Sequence, residues 1–137
     1  MGYLTGIDIV YQSDKDFEEI QNILNYNDVR TEDSEYLRQA LIYGVSYEIN
    51  YIDELGQQRF KVLDPREVIP VYSNDLANEL LYVIRYYVAD TINDVQDKYL
   101  IEVYSQNRTL IYESSIGFTT LSLLEDRQNY YKQVPIT

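Results

Sequence analysis

The hydrophobic pattern of this chain changes period once, near Val45, and that change limits the folds open to it. Upstream, Phe17, Ile20 and Leu24 recur at helical spacing, with Glu18, Glu19 and Gln21 on other faces. Leu37, Ala40 and Leu41 repeat the pattern and form the expected buried stripe of a second helix. Downstream the period is two: Val45, Tyr47, Ile49 and Tyr51 point one way, and Ser46, Glu48 and Asn50 the other. A chain with its helices first and its strands afterwards does not build the βαβ alternation of a parallel sheet. The expected class is α+β, two N-terminal helices followed by a mostly antiparallel sheet of about seven short strands.

Local chemistry marks the boundaries. Residues 3–11 (YLTGIDIVY) are rich in β-branched and aromatic types and read as a strand or extended arm. Ser13 is expected to cap the first helix, with Asp16 three residues later in a near capping box. Asn25–Asp28 breaks that helix, and Asp28 or Thr31 is expected to cap the next. Gly44 stands where a left-handed C-terminal cap is wanted. Asp53–Gln57 reads as a hairpin turn with Gly56 at positive φ, and Arg59–Leu63 returns with Phe60 and Val62 continuing the apolar face. Asp64-Pro65 ends that strand, since proline has no amide for the ladder. Further strands are expected at Val68–Tyr72, at Leu80–Val88 with Arg85 as its one charge, and at Thr119–Leu124. Tyr99–Tyr104 and Arg108–Glu113 form a hairpin, and Tyr130–Thr137 leaves the domain extended. With 137 residues, 45% of them hydrophobic, and no repeat or Pro/Gly/Ser-rich linker, residues 1–137 are expected to form one domain. Leu41→Asp and Ile49→Asp are both expected to unfold it.

The chain has no cysteine and no histidine, which removes disulfides, thiolate zinc sites, Ser-His-Asp triads and imidazole proton shuttles. Acidic residues number 23 against 11 basic, a formal net charge of −12. The excess is uneven: residues 1–57 hold 12 acids and 3 bases, net −9, and residues 58–137 hold 11 acids and 8 bases, net −3. Such a chain repels phosphate backbones, so tight binding to DNA is not expected, whereas DNA sliding past an acidic wall is compatible with it. Glu32, Asp33 and Glu35 lie near the start of the second helix, and dipole complement is the preferred reading over a metal site. Asp14/Asp16, Asp53/Glu54 and Glu125/Asp126 lack the opposed geometry of a catalytic carboxylate pair. No phosphate-cradling glycine loop, calcium loop or bilayer-length apolar run is found, and the first ten residues lack the features of a secretory signal. No catalytic, cofactor-binding or metal-ligating residue is therefore assigned, and neither an enzyme nor a membrane protein is expected.

Sixteen tyrosines and no tryptophan are unusual. Most lie in predicted strands away from basic residues, so sheet packing is preferred to a stacking platform for sugars or bases. Tyr86-Tyr87 and Tyr130-Tyr131 each put one ring on either face, which makes Tyr87, Tyr130 and Tyr131 candidate subunit contacts.

Ile42-Tyr43-Gly44-Val45-Ser46-Tyr47-Glu48, then Tyr51-Ile52-Asp53, then Phe60 through Asp64-Pro65-Arg66-Glu67-Val68 to Tyr72, resembles the portal proteins of tailed phages related to the SPP1 type. Looser agreement extends to Tyr3–Ile9, where Asp8 replaces a usual proline, to Leu81–Tyr87, Glu102-Val103-Tyr104, Tyr112-Glu113 and Val134-Pro135-Ile136. The signature positions are Tyr43, Gly44, Tyr47, Asp64, Pro65, Arg66, Glu67, Val68, Arg85, Tyr86 and Tyr87, all in structural roles. The resemblance implies a subunit of a dodecameric ring at one capsid vertex. Its partners would be other portal subunits, capsid, scaffold, terminase and connector proteins, with DNA passing through unbound and no cofactor. It also implies a location in the virion, and in the host cytoplasm during assembly. Family members are several times longer, so this chain reads as a wing-region piece without stem, clip or crown, expected to be a monomer or weak oligomer alone. Two other readings stay open from the residues: a tyrosine-rich binding module for carbohydrate or protein, and an acidic DNA mimic. The mimic requires acids spaced like phosphates on one face, whereas here they gather at helix starts and turns.

Overall fold

The computed structural model describes residues 9–89, 98–114 and 120–137. The chain divides into two compact units, residues 1–65 together with Thr137, and residues 66–136.

The first unit contains helices α1 (Glu18–Tyr26) and α2 (Val29–Tyr43), followed by a two-stranded antiparallel hairpin of β1 (Tyr47–Ile52) and β2 (Gln58–Leu63). Both helices start differently from the expectation. The Ser13 hydroxyl accepts from the Lys15 amide, which shapes a turn upstream of α1. Asp16 accepts from the Glu18 amide at 3.2 Å, and Phe17 at the N-cap offers no side-chain bond. Asp28 caps α2 through its backbone, in the left-handed region at φ 49°, with its carbonyl accepting from Thr31 and Glu32. Its side chain does not cap the helix. Gly44 ends α2 as expected, at φ 76°, where its missing Cβ removes the steric cost.

The larger correction concerns the face that α2 buries. Leu37 and Leu41 are 37% and 44% exposed, and the buried residues of the helix are Glu32 and Gln39. The reason is the open edge of β2, whose backbone groups need polar partners more than the helix needs apolar cover. Glu32 Oε2 accepts from the Val62 amide at 2.9 Å, and Oε1 accepts from Lys61 Nζ. Asn27, in the bend between the helices, donates to the Gln58 carbonyl at 2.9 Å and accepts from the Phe60 amide at 3.0 Å. Its carboxamide thus stands in for a peptide unit of a third strand.

The hairpin turn Asp53–Gln57 forms as read, with Gly56 at φ 75° and Asp53 Oδ1 accepting from the Leu55 and Gln57 amides at 2.9 Å each. Its five residues pair Ile52 with Gln58, so Ile49 faces Lys61 and Tyr47 faces Leu63. Phe60 and Val62 therefore oppose Asn50 and Glu48, and do not continue the Ile49 face. The chain end is a further correction. Val134, Pro135 and Ile136 are buried, and Thr137 exchanges two backbone hydrogen bonds with Glu48, at 2.9 and 3.0 Å. The chain end is thus held, with Thr137 paired to Glu48 of β1, and does not leave extended.

The second unit follows a 3-10 turn at Pro65–Glu67. It is a five-stranded antiparallel meander of β3 (Val68–Tyr72), β4 (Leu80–Val88), β5 (Tyr99–Ser105), β6 (Arg108–Ser114) and β7 (Leu121–Gln128), in that spatial order. Pro70 fits within β3 because β3 is an edge strand. The expected strand at Thr119–Leu124 runs on to Gln128, and Thr119 itself lies outside the described residues. Register places Val68, Val83, Glu102, Tyr104 and Thr109 on one face, and all five are buried. The opposite face carries Ile69, Ile84, Tyr86, Ile101, Val103, Tyr112 and Leu123, with Ile69 and Leu123 exposed. Among the described residues the order is therefore two helices and then seven strands, all antiparallel, in an α+β fold. Of the predicted arm at residues 3–11, Tyr3–Asp8 lie outside the described residues, and Ile9–Tyr11 are in neither helix nor strand.

Candidate functional site

Ten of the eleven signature positions fall into three local groups, and Tyr86 lies on the other face of the five-stranded sheet from the last of them. Tyr43 ends α2 and is exposed, Gly44 makes the left-handed cap, and Tyr47 opens β1 half-buried. Asp64 and Pro65 end β2 and start the 3-10 turn, Arg66 lies exposed within it, and Val68 is buried at the head of β3. The boundary between the two compact units falls within this motif, between Pro65 and Arg66.

The third group is a polar network on the buried face of the five-stranded sheet. Arg85 on β4 lies directly across from Val68 on β3 and from Glu102 on β5. Its guanidinium reaches Glu67 Oε2 and Glu102 Oε2 at 3.3 Å each. Glu102, itself buried, also accepts from the Tyr87 hydroxyl at 2.9 Å and the Tyr104 hydroxyl at 2.8 Å. Arg85 further lies over the Tyr87 ring, 4.2 Å from its centroid. Arg85 thus links two carboxylates, Glu67 and Glu102, and the signature residues Arg85 and Tyr87 both donate to Glu102. Burial, then the Glu102 charge and hydrogen bond, push the Tyr87 hydroxyl up to about 12 from the usual 10.0. The Tyr104 hydroxyl is raised further by the same causes in the same order. A carboxylate that takes three donors has little capacity left for a substrate, so this network stabilises and orients strands.

Glu102 and Tyr104 were legible only as loose matches in order, not as the centre of the network. The available signal was an acid on an otherwise apolar strand, opposite the lone arginine of its neighbour. In the sequence Asn27 reads as a helix breaker and Glu32 as a dipole complement, whereas in the structure both close the β2 edge.

The three candidate contact tyrosines differ in exposure. Tyr87 is half-buried in the network, Tyr131 is half-buried, and Tyr130 is 82% exposed. Among the described residues, no group of His, Cys, Asp or Glu is placed to hold a metal ion. No helix among them is long and apolar enough to cross a membrane. In the first unit, burial and the charges of Asp33 and Glu32 raise the Glu48 carboxyl. Tyr11 donates to Asp33 at 2.7 Å, and its hydroxyl is raised to about 12, chiefly by desolvation.

A carboxylate-centred polar network, a β2 edge closed by side chains and exposed apolar and tyrosine surfaces are features of a protein that associates with others and that offers no reaction centre among the described residues. The model of one protein family, phage portal protein, SPP1 Gp6-like, matches residues 1–137, and the chain belongs to that family. No curated protein matches the chain.

Proposed function

We propose that this chain is a non-catalytic wing-region part of a portal subunit, in the ring through which phage DNA is packaged and later released. The observation that carries the reading is the family match across all 137 residues. The net charge of −12 supports a conduit wall that does not grip DNA, by repelling the phosphates that pass it. Its partners in this reading are neighbouring portal subunits, capsid, scaffold, terminase and connector proteins, at the capsid vertex after assembly in the host cytoplasm. Residues 1–137 act as one domain in it, and Tyr130 and Tyr131 are contact residues toward a neighbour. The signature residues Glu67, Arg85 and Tyr87 stiffen the sheet that carries those contacts.

The test is electron microscopy of the product of the complete gene, purified at high concentration. Rings with a central channel are expected. A persistent monomer counts against the proposal and favours a tyrosine-rich binding module, for which the exposed Tyr130 ring would be the first residue to mutate.

A further inference from the structure

The sheet edges of this protein are not treated alike. The β2 edge is closed by Asn27 and Glu32, which bond the Gln58 carbonyl and the Phe60 and Val62 amides. On β1, Glu48 is occupied on both backbone groups by Thr137. The β3 edge carries Pro70, which removes an amide from the row. Among the described residues the β7 edge has none of these devices. It is the last strand of its sheet among the described residues, eight residues long, free of proline, and exposed at every position. A strand of that length presents a row of outward amides and carbonyls, and Leu121, Leu123 and Leu124 add exposed apolar area beside it.

We propose that β7 accepts an added strand from a second copy of this chain, and that the strand is the segment containing Ile9–Tyr11. This deepens the portal reading and rests on it. In a closed ring each subunit offers two different surfaces to its neighbours, so β7 must meet something other than β7. Within the chain, the segment has the required chemistry. Ile9, Val10 and Tyr11 are uncharged, β-branched or aromatic, exposed (Val10 at 71%), and in neither helix nor strand. Tyr11 is held to α2 through Asp33, which fixes the root of the segment and lowers the entropy lost on docking. Charge favours the same pairing. Two copies carrying −12 each repel, yet on β7 the charges are matched locally, Glu125 by Arg127 at 3.6 Å and Asp126 by Arg108. Ile9–Tyr11 therefore brings no charge of its own to a locally neutral edge.

The absence of native cysteine makes a disulfide test clean. Two single-cysteine preparations of the chain, Val10→Cys and one of Leu121→Cys, Ser122→Cys, Leu123→Cys or Leu124→Cys, are mixed at high concentration under mild oxidation. One register is expected to give several-fold more mixed dimer than either homodimer, with adjacent positions falling away. A peptide of residues 3–11 is expected to suppress it. Dominant β7-to-β7 homodimers, or no mixed dimer at any register, overturn the proposal. So does a Val10→Cys/Leu123→Cys double variant that closes only within one chain. Rings by electron microscopy without the mixed dimer refute this inference alone, whereas the mixed dimer without rings refutes the portal reading and leaves the contact standing.

Discussion

Glu102→Ala is the substitution that tests the structural account most directly. The carboxylate is buried and receives three donors: the Tyr104 hydroxyl at 2.8 Å, the Tyr87 hydroxyl at 2.9 Å and Arg85 at 3.3 Å. Removing it leaves Arg85 with Glu67 as its remaining carboxylate and takes the acceptor from the buried Tyr104 hydroxyl. Breaking a buried ion pair from one side costs about 3–5 kcal/mol. Because Arg85 keeps Glu67 and some solvent, the lower end applies to the pair, and the stranded hydroxyl adds about 1 kcal/mol. We expect a total loss of about 4 kcal/mol for Glu102→Ala and about 2 kcal/mol for Glu102→Gln, which retains an acceptor. Against the 5–15 kcal/mol typical of a domain, roughly, the alanine variant is close to unfolding at room temperature. Urea titration followed by circular dichroism measures the change, with sixteen tyrosines and no tryptophan giving a second, fluorescent probe. A loss below about 1 kcal/mol for the alanine variant, the range of exposed pairs, would refute the network as a source of stability.

Four other outcomes follow from the structure. Asn27→Ala exposes the Gln58 carbonyl and Phe60 amide on the β2 edge and is expected to cost about 2 kcal/mol by urea unfolding. Ile49→Asp, in the core, is expected to cost about 4 kcal/mol. Leu41→Asp, on the exposed face of α2, is expected to stay within about 0.5 kcal/mol, and equal effects would show the helix face is misassigned. Alkaline pH should weaken the five-stranded unit. The Tyr87 hydroxyl is raised in the folded state, so the folded state holds its proton longer than the unfolded one. Its contribution is complete below the ordinary value of 10.0 and is lost as pH rises toward about 12. Ultraviolet titration of tyrosinate should accordingly show a late-titrating class that Glu102→Gln moves earlier.

Exposed apolar area is where the two units differ most from an isolated globular domain. Leu37 and Leu41 on α2, and Ile69, Leu121 and Leu123 on the meander, remain open to solvent although their periodicity is that of core residues. Apolar periodicity left open to solvent marks a face suited to association with another chain. Association through such faces is expected to show as concentration-dependent scattering that Leu41→Asp diminishes.

The sequence alone determined whatever depends on near neighbours. The period change at Val45 separated helices from strands, Gly44 and Gly56 marked two of the left-handed positions, and Asp64-Pro65 ended β2. Each is a local steric or hydrogen-bonding requirement, written within a few residues. The family was legible too, because motif order is a property of the linear chain. Tertiary structure alone decided the rest. A five-residue turn set the parity that moved Phe60 and Val62 to the Glu48 face. The need to satisfy a strand edge made Glu32 and Asn27 buried partners and left Leu37 and Leu41 outside. Sheet register joined Arg85, Tyr87 and Tyr104 around Glu102, with Glu67 on the other side of Arg85, and the return of the chain end joined Thr137 to Glu48. These outcomes turn on which distant backbone and side-chain groups must share the available donors and acceptors, and that allocation exists only once the chain has folded.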